Sequence, residues 1–118
     1  MNNSESTSSK VTNLTYLKEL SKGNTTFVSE MLEIFCAENP LELQSLEKAV
    51  EDSDYDQIQS VSHHMRSTMP FVGLDIHIGK ELAEIEQLSK TSSGIQTIRF
   101  DFVKIKSVCQ KALEELKC

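Results

Sequence analysis

DYDQIQSVSHHMRSTMPFVG, residues 54–73, is the stretch that decides the fold. Its apolar residues Ile58, Val61, Met65, Met69 and Val72 recur at steps of three and four, which buries one face of a helix. At about 100° of rotation per residue, His63 falls roughly 160° from the middle of that stripe, and Ser67 lies beside it one turn later. Asp54 followed by Gln57 resembles a capping box that opens the helix, and Pro70 with Gly73 closes it. The pattern predicts an imidazole turned to water on a rigid support, next to a small side chain, where a partner reaches it.

Upstream, Leu14, Leu17 and Leu20 lead to Gly23 and predict a short first helix. Asn24 is placed to cap a second helix, in which Val28, Leu32, Phe35, Leu43, Leu46 and Val50 keep one phase and Asn39 fills the missing slot. Pro40 removes the hydrogen bond to the Cys36 carbonyl, but the retained phase predicts one bent helix across it. Downstream, Leu74, Ile78, Leu82, Ile85 and Leu88 form a further stripe, and Thr91–Gly94 reads as a loop. Ile98, Phe102, Ile105, Cys109, Ala112 and Leu116 complete the series. The expected fold is all-α: an antiparallel up-and-down four-helix bundle with a short additional N-terminal helix, over residues 11–118. Residues 1–10 are polar and read as a loose tail.

The chain has 118 residues and a formal charge of −6 at pH 7, without a basic cluster, so nucleic acid is not an expected partner. No apolar run is long enough to span a bilayer, and MNNSESTSSK lacks the apolar centre of a signal peptide. Three cysteines, Cys36, Cys109 and Cys118, show no metal or redox spacing and fit no simple intrachain disulfide framework. The expectation is a cytoplasmic protein with packed free thiols. It is expected to be monomeric, since no helix carries a second long apolar stripe.

The run His63-His64-Met65-Arg66-Ser67, with Gly73 ten residues after His63, resembles the signature of histidine-containing phosphotransfer (HPt) domains. That signature reads roughly His, any residue, Leu, Lys, Gly, with a glycine near the end of the same helix. Gly23 to Phe35, the Asn39-Pro40 step and Asp54-Tyr55-Asp56 also look like the family pattern. The resemblance implies that His63 carries a phosphoryl group between aspartates of response-regulator receiver domains, fed by a hybrid sensor histidine kinase. The carrier then has no cofactor of its own and no independent turnover, because the receiver supplies Mg. Met65 matches the buried motif leucine and Arg66 the motif lysine, within reach of the phosphoryl group. Ser67 replaces the usual glycine, and Pro70 is a second departure. Gln59, Ser60, Arg66, Ser67 and Pro70 make up the expected partner-facing rim.

The family often orients the imidazole with a polar side chain from the next helix, and Glu84 and Glu86 both lie near the expected place. The phase of this chain assigns neither. His64, about 100° round the helix from His63, reads as a boundary residue against a neighbouring helix. No pair of histidines at i and i+4 meets converging carboxylates, so no metal site is expected. Glu81, Glu84, Glu86, Glu114 and Glu115 read as solvated exterior. The competing reading is an adaptor that binds receiver domains through the same face without transferring phosphate.

Overall fold

The computed structural model describes residues 10–118. Apart from Lys10, the expected tail lies outside the described residues. Among those described there is no strand, and the elements are α1 (Thr15–Ser21), α2 (Thr25–Glu51), α3 (Tyr55–Thr68), a 3-10 turn (Met69–Val72), α4 (Asp75–Lys90) and α5 (Ile95–Glu115). The Asn24 side chain accepts the Phe27 N–H at 3.0 Å, and α2 then runs unbroken through Pro40. Asp54 caps α3 by accepting the Gln57 N–H at 3.2 Å. The other half of the expected capping box is replaced. The Asp54 N–H donates to the Ala49 carbonyl at 2.8 Å, so the end of α2 takes the donor that Gln57 was expected to accept.

Each long helix buries the stripe its spacing predicts. Phe35, Leu43 and Leu46 meet Ile58 and Met65, then Ile78, Leu82 and Ile85, then Ile98, Ile105 and Cys109, in one core. Contacts run from α2 to α3, α3 to α4, α4 to α5 and back from α5 to α2, which closes a ring of four helices. The short α1 lies against α2 and the 3-10 turn through the buried Leu17, while Leu20 is exposed, contrary to the first apolar repeat. Phe100, about 200° round α5 from Ile98 and so opposite the stripe, is also exposed.

The segment before α1 is held at two points. The N–H groups of Val11 and Thr12 donate to the Glu115 carboxylate at 2.8 and 2.9 Å, and the Asn13 N–H donates to the Val72 carbonyl at 2.9 Å. The second contact explains Gly73. Its φ is +76°, and a Cβ there would stand 2.6 Å from the Asn13 carbonyl oxygen, so both conformation and space require glycine.

The cysteine reading is corrected. Cys36 and Cys118 form a disulfide across 82 residues of sequence, and Cys109 alone is a buried free thiol. With an odd count and such separation, only the packing of α2 against the chain end identifies the pair. A second departure is Asp101, buried on α5 with an Oδ2 that has no hydrogen-bond partner among the described residues. Burial and the neighbouring Glu84 and Glu81 push its carboxyl up to about 7, against the opposing effect of Lys104.

Candidate functional site around His63

Ile58, Ser62 and Met65 form the inner face of α3, and the buried Ser62 hydroxyl donates to the Ile58 carbonyl at 2.7 Å. His63 therefore emerges opposite the core, with its side chain 73% exposed, as the helical phase predicts. Its Nδ1 lies 3.0 Å from Glu86 Oε2 on α4, and Arg66 Nη1 donates to Glu86 Oε1 at 2.7 Å. One carboxylate thus holds the imidazole with one oxygen and the guanidinium with the other. Lys90, one turn further along α4, brings its Nζ to 4.0 Å from Glu86 Oε2.

The Glu86 side chain is only 7% exposed. Burial alone raises a carboxyl pKa, but the hydrogen bonds from Arg66 and His63 outweigh it and hold this group below the ordinary range. Glu86 is therefore ionised at neutral pH and can only accept hydrogen bonds. It follows that Nδ1 of a neutral His63 carries the proton and Nε2 carries the lone pair. Nε2 makes no hydrogen bond to any described residue, so the site presents a nucleophilic nitrogen to solvent on a ring whose tautomer and direction are set from below.

The rim residues are arranged around this ring in different ways. Arg66 is 46% exposed and shares Glu86 with His63. Ser67 is exposed, but its hydroxyl donates to the His64 carbonyl at 2.6 Å, so it is turned back onto its own helix. Ser60 is exposed and Gln59 half-buried on the preceding turn, and Pro70 is half-buried in the 3-10 turn. Met65 is core, and Gly73 ends the turn in the left-handed region. His64 occupies the predicted helix boundary, with Nδ1 2.5 Å from Glu42 Oε2 on α2.

Glu86 is the residue the sequence reading left unassigned, and Glu84 is not its equivalent: it is exposed and faces Asp101 instead. A signal was present. Glu86 follows Leu82 by four residues and Ile85 by one, so it occupies an inward position where a charge requires partners. The reading of the acidic side chains as solvated exterior is corrected for Glu86 and also for Glu115, whose carboxylate accepts from Val11, Thr12 and the Thr12 hydroxyl. Glu81 accepts from Lys104 at 2.8 Å, while Glu114 is exposed as expected.

No helix among the described residues is long and apolar enough to cross a membrane. No curated protein and no solved structure matches the chain significantly. The model of the Hpt domain family matches residues 30–117, about three quarters of the chain, from the first half of α2 to just past the end of α5. An all-helical bundle matched over that span, with an exposed histidine at the centre of its motif helix, places the protein among the phosphocarrier modules of two-component histidine phosphotransfer: the chain belongs to the Hpt domain family.

Proposed function

We propose that His63 accepts a phosphoryl group from the aspartyl phosphate of one receiver domain and passes it to the aspartate of another. The observation that carries this reading is the exposed Nε2 of an imidazole whose Nδ1–H is held by the ionised Glu86. Nε2 attacks phosphorus, the N–P bond forms, and the P–O bond to the donor carboxylate breaks, leaving a free aspartate. The ring becomes cationic because Nδ1 keeps its proton, and Glu86 lies beside the charge that develops. Arg66, half in solvent, is placed to offer its remaining N–H donors to the phosphoryl oxygens. Return transfer reverses the same steps.

Nε2 has no general base as a hydrogen-bond partner among the described residues, which suits a shuttle better than a phosphatase. In this reading the receiver domain supplies the Mg and its acidic pocket, and a hybrid sensor histidine kinase feeds the relay. The carrier acts as a monomer, and its four long helices form an antiparallel up-and-down bundle. Gln59, Ser60, Ser67 and Pro70 border the docking face. Ser67, folded onto the His64 carbonyl, adds little bulk there and presents no free hydroxyl hydrogen to the phosphate.

Incubation with a phosphorylated receiver domain tests the reading. The wild type acquires an acid-labile, base-stable phosphate, and His63→Gln acquires none. Equal labelling of His63→Gln overturns the assignment, and receiver binding without labelling of the wild type favours the adaptor.

A further inference from the structure

The end of α5 is held in a conformation that its own residues do not favour. Lys117 has φ +59°, in the left-handed region that suits glycine. In that conformation its N–H donates to the Glu114 carbonyl at 3.1 Å, and the Cys118 N–H donates to the Leu113 carbonyl at 3.0 Å. A cap of this kind usually has glycine at the left-handed position and an apolar contact just beyond it. Here the contact beyond is covalent, because Cys118 is bonded to Cys36 on α2. Glu115, the last residue of α5, receives the N–H groups of Val11 and Thr12 and, at 2.6 Å, the Thr12 hydroxyl. The strap so held continues to Asn13, whose N–H reaches Val72 in the 3-10 turn that follows the His63 helix.

We infer that the Cys36–Cys118 bond is a redox latch: reduction by a small dithiol releases the end of α5, withdraws Glu115 from the Val11–Thr12 strap and frees the segment that braces the 3-10 turn. The bond is open to such a reagent. Cys118 is exposed, Cys36 is half-buried, and both line an open surface groove with Glu33 and Lys117. A thiolate of the dithiol attacks Cys118 Sγ, the Sγ–Sγ bond breaks, and its electron pair leaves on Cys36 Sγ, which takes up a proton. The second thiolate of the reagent then displaces the Cys118 sulfur, so the reagent ends as a cyclic disulfide and the protein as two thiols. A low-molecular-weight disulfide drives the converse exchange. Cys109 takes no part, since it is fully buried and burial pushes its thiol up to about 11.

Once Cys118 is free, no covalent tie keeps Lys117 at positive φ, and the last turn of α5 frays from its cap inward. Glu115 lies in that turn, so its three bonds to the strap are the first long-range contacts to go. His63, Arg66 and Glu86 make none of these contacts, and their geometry is left as it stands. Only the consequence rests on the proposed function: Pro70, on the expected docking face, is part of the turn that the strap braces.

Amide hydrogen exchange of the full, unphosphorylated chain, read by NMR with and without dithiothreitol, tests the latch. On reduction the Val11 and Thr12 amides should exchange at least tenfold faster, and reoxidation with glutathione disulfide should restore the slow rates. The Gln57 amide, held by Asp54 at the start of α3, should change by less than twofold. In Cys36→Ser the strap should exchange fast in both conditions. In Glu115→Ala it should already be fast with the disulfide intact, and reduction should add nothing. A strap equally protected in both redox states, a Gln57 amide that accelerates as much as the strap, or a full response to reduction in Glu115→Ala overturns the inference. The readout involves no phosphate, so failure of the latch and failure of the His63 assignment remain distinguishable.

Discussion

Replacing Glu86 by Gln tests the proposed chemistry most directly, because it changes charge with little change of shape. The amide oxygen can still accept the His63 Nδ1–H at the present 3.0 Å, so ring orientation survives. The negative charge facing the phosphorylated ring is lost. Opposite charges about 4 Å apart interact by about 1 kcal/mol in bulk water and about 4 kcal/mol at an effective dielectric constant of 20. Glu86 is buried but the imidazole is 73% exposed, so the screened value falls between these limits, at about 2 kcal/mol. At 1.36 kcal/mol per factor of ten, Glu86→Gln should lower the equilibrium fraction of phosphohistidine about 30-fold. The forward rate should fall by less, since only part of the ring charge has developed in the transition state. Single-turnover transfer from a phosphorylated receiver domain, followed on phosphate-affinity gels, measures both quantities. Glu86→Ala removes orientation as well as charge and should be worse than Gln. A folded Glu86→Gln protein that gains and holds phosphate within twofold of wild type would refute the role assigned to this carboxylate.

Three other outcomes follow from the fold. Gly73→Ala places a Cβ against the Asn13 backbone at positive φ, and urea unfolding should register a loss of about 2–4 kcal/mol. Asp101 has a folded-state pKa of about 7, above its unfolded value, so its stabilising effect is complete below about pH 4 and is lost as pH rises through 7. The wild-type melting temperature should accordingly fall between pH 5 and pH 8, while Asp101→Asn flattens that slope and is the more stable protein at pH 8. Reduction of the Cys36–Cys118 bond, which closes a loop of 82 residues, should cost about 2–4 kcal/mol in thermal unfolding, and Cys36→Ser should be insensitive to reductant.

Helix positions and core faces were legible because they depend on local periodicity. The phase of Ile58, Val61 and Met65 alone turned His63 outward, and the stripe from Ile98 to Ala112 is the buried face of α5. What stayed hidden depends on contacts between helices. Glu84 and Glu86 differ by two residues, about 200° of rotation, so phase turns Glu86 inward, but its partners His63 and Arg66 are visible only when α4 is set against α3. The same holds for the Cys36–Cys118 bond, for Glu115 capturing the N–H groups of Val11 and Thr12, and for Glu42 meeting His64. In each case the partner lies on another element and so outside the local pattern, whether the residue reads as packed (Cys36), as a helix boundary (His64) or as solvated exterior (Glu115). Charged residues one step off an apolar stripe carry most of this hidden information, since burial obliges them to be paired.

The charges around Glu86 give a physical reason for a reversible carrier. Before transfer, neutral His63, Arg66, Lys90 and Glu86 sum to a single positive charge, and the carboxylate is shared between ring and guanidinium. On the proposed reading, transfer adds a phosphoryl group carrying about two negative charges and makes the ring cationic, so the cluster becomes nearly neutral. Neither state leaves a large uncompensated field, which keeps the loaded and unloaded forms close in free energy. The exchange asks only that Arg66 turn from Glu86 toward the phosphate while Glu86 keeps the ring, a movement open to a side chain that is 46% exposed and closed to one that is 7% exposed. Arg66→Gln should therefore weaken acceptance more than it disturbs the fold, because the buried Glu86 retains His63 and has Lys90 at hand.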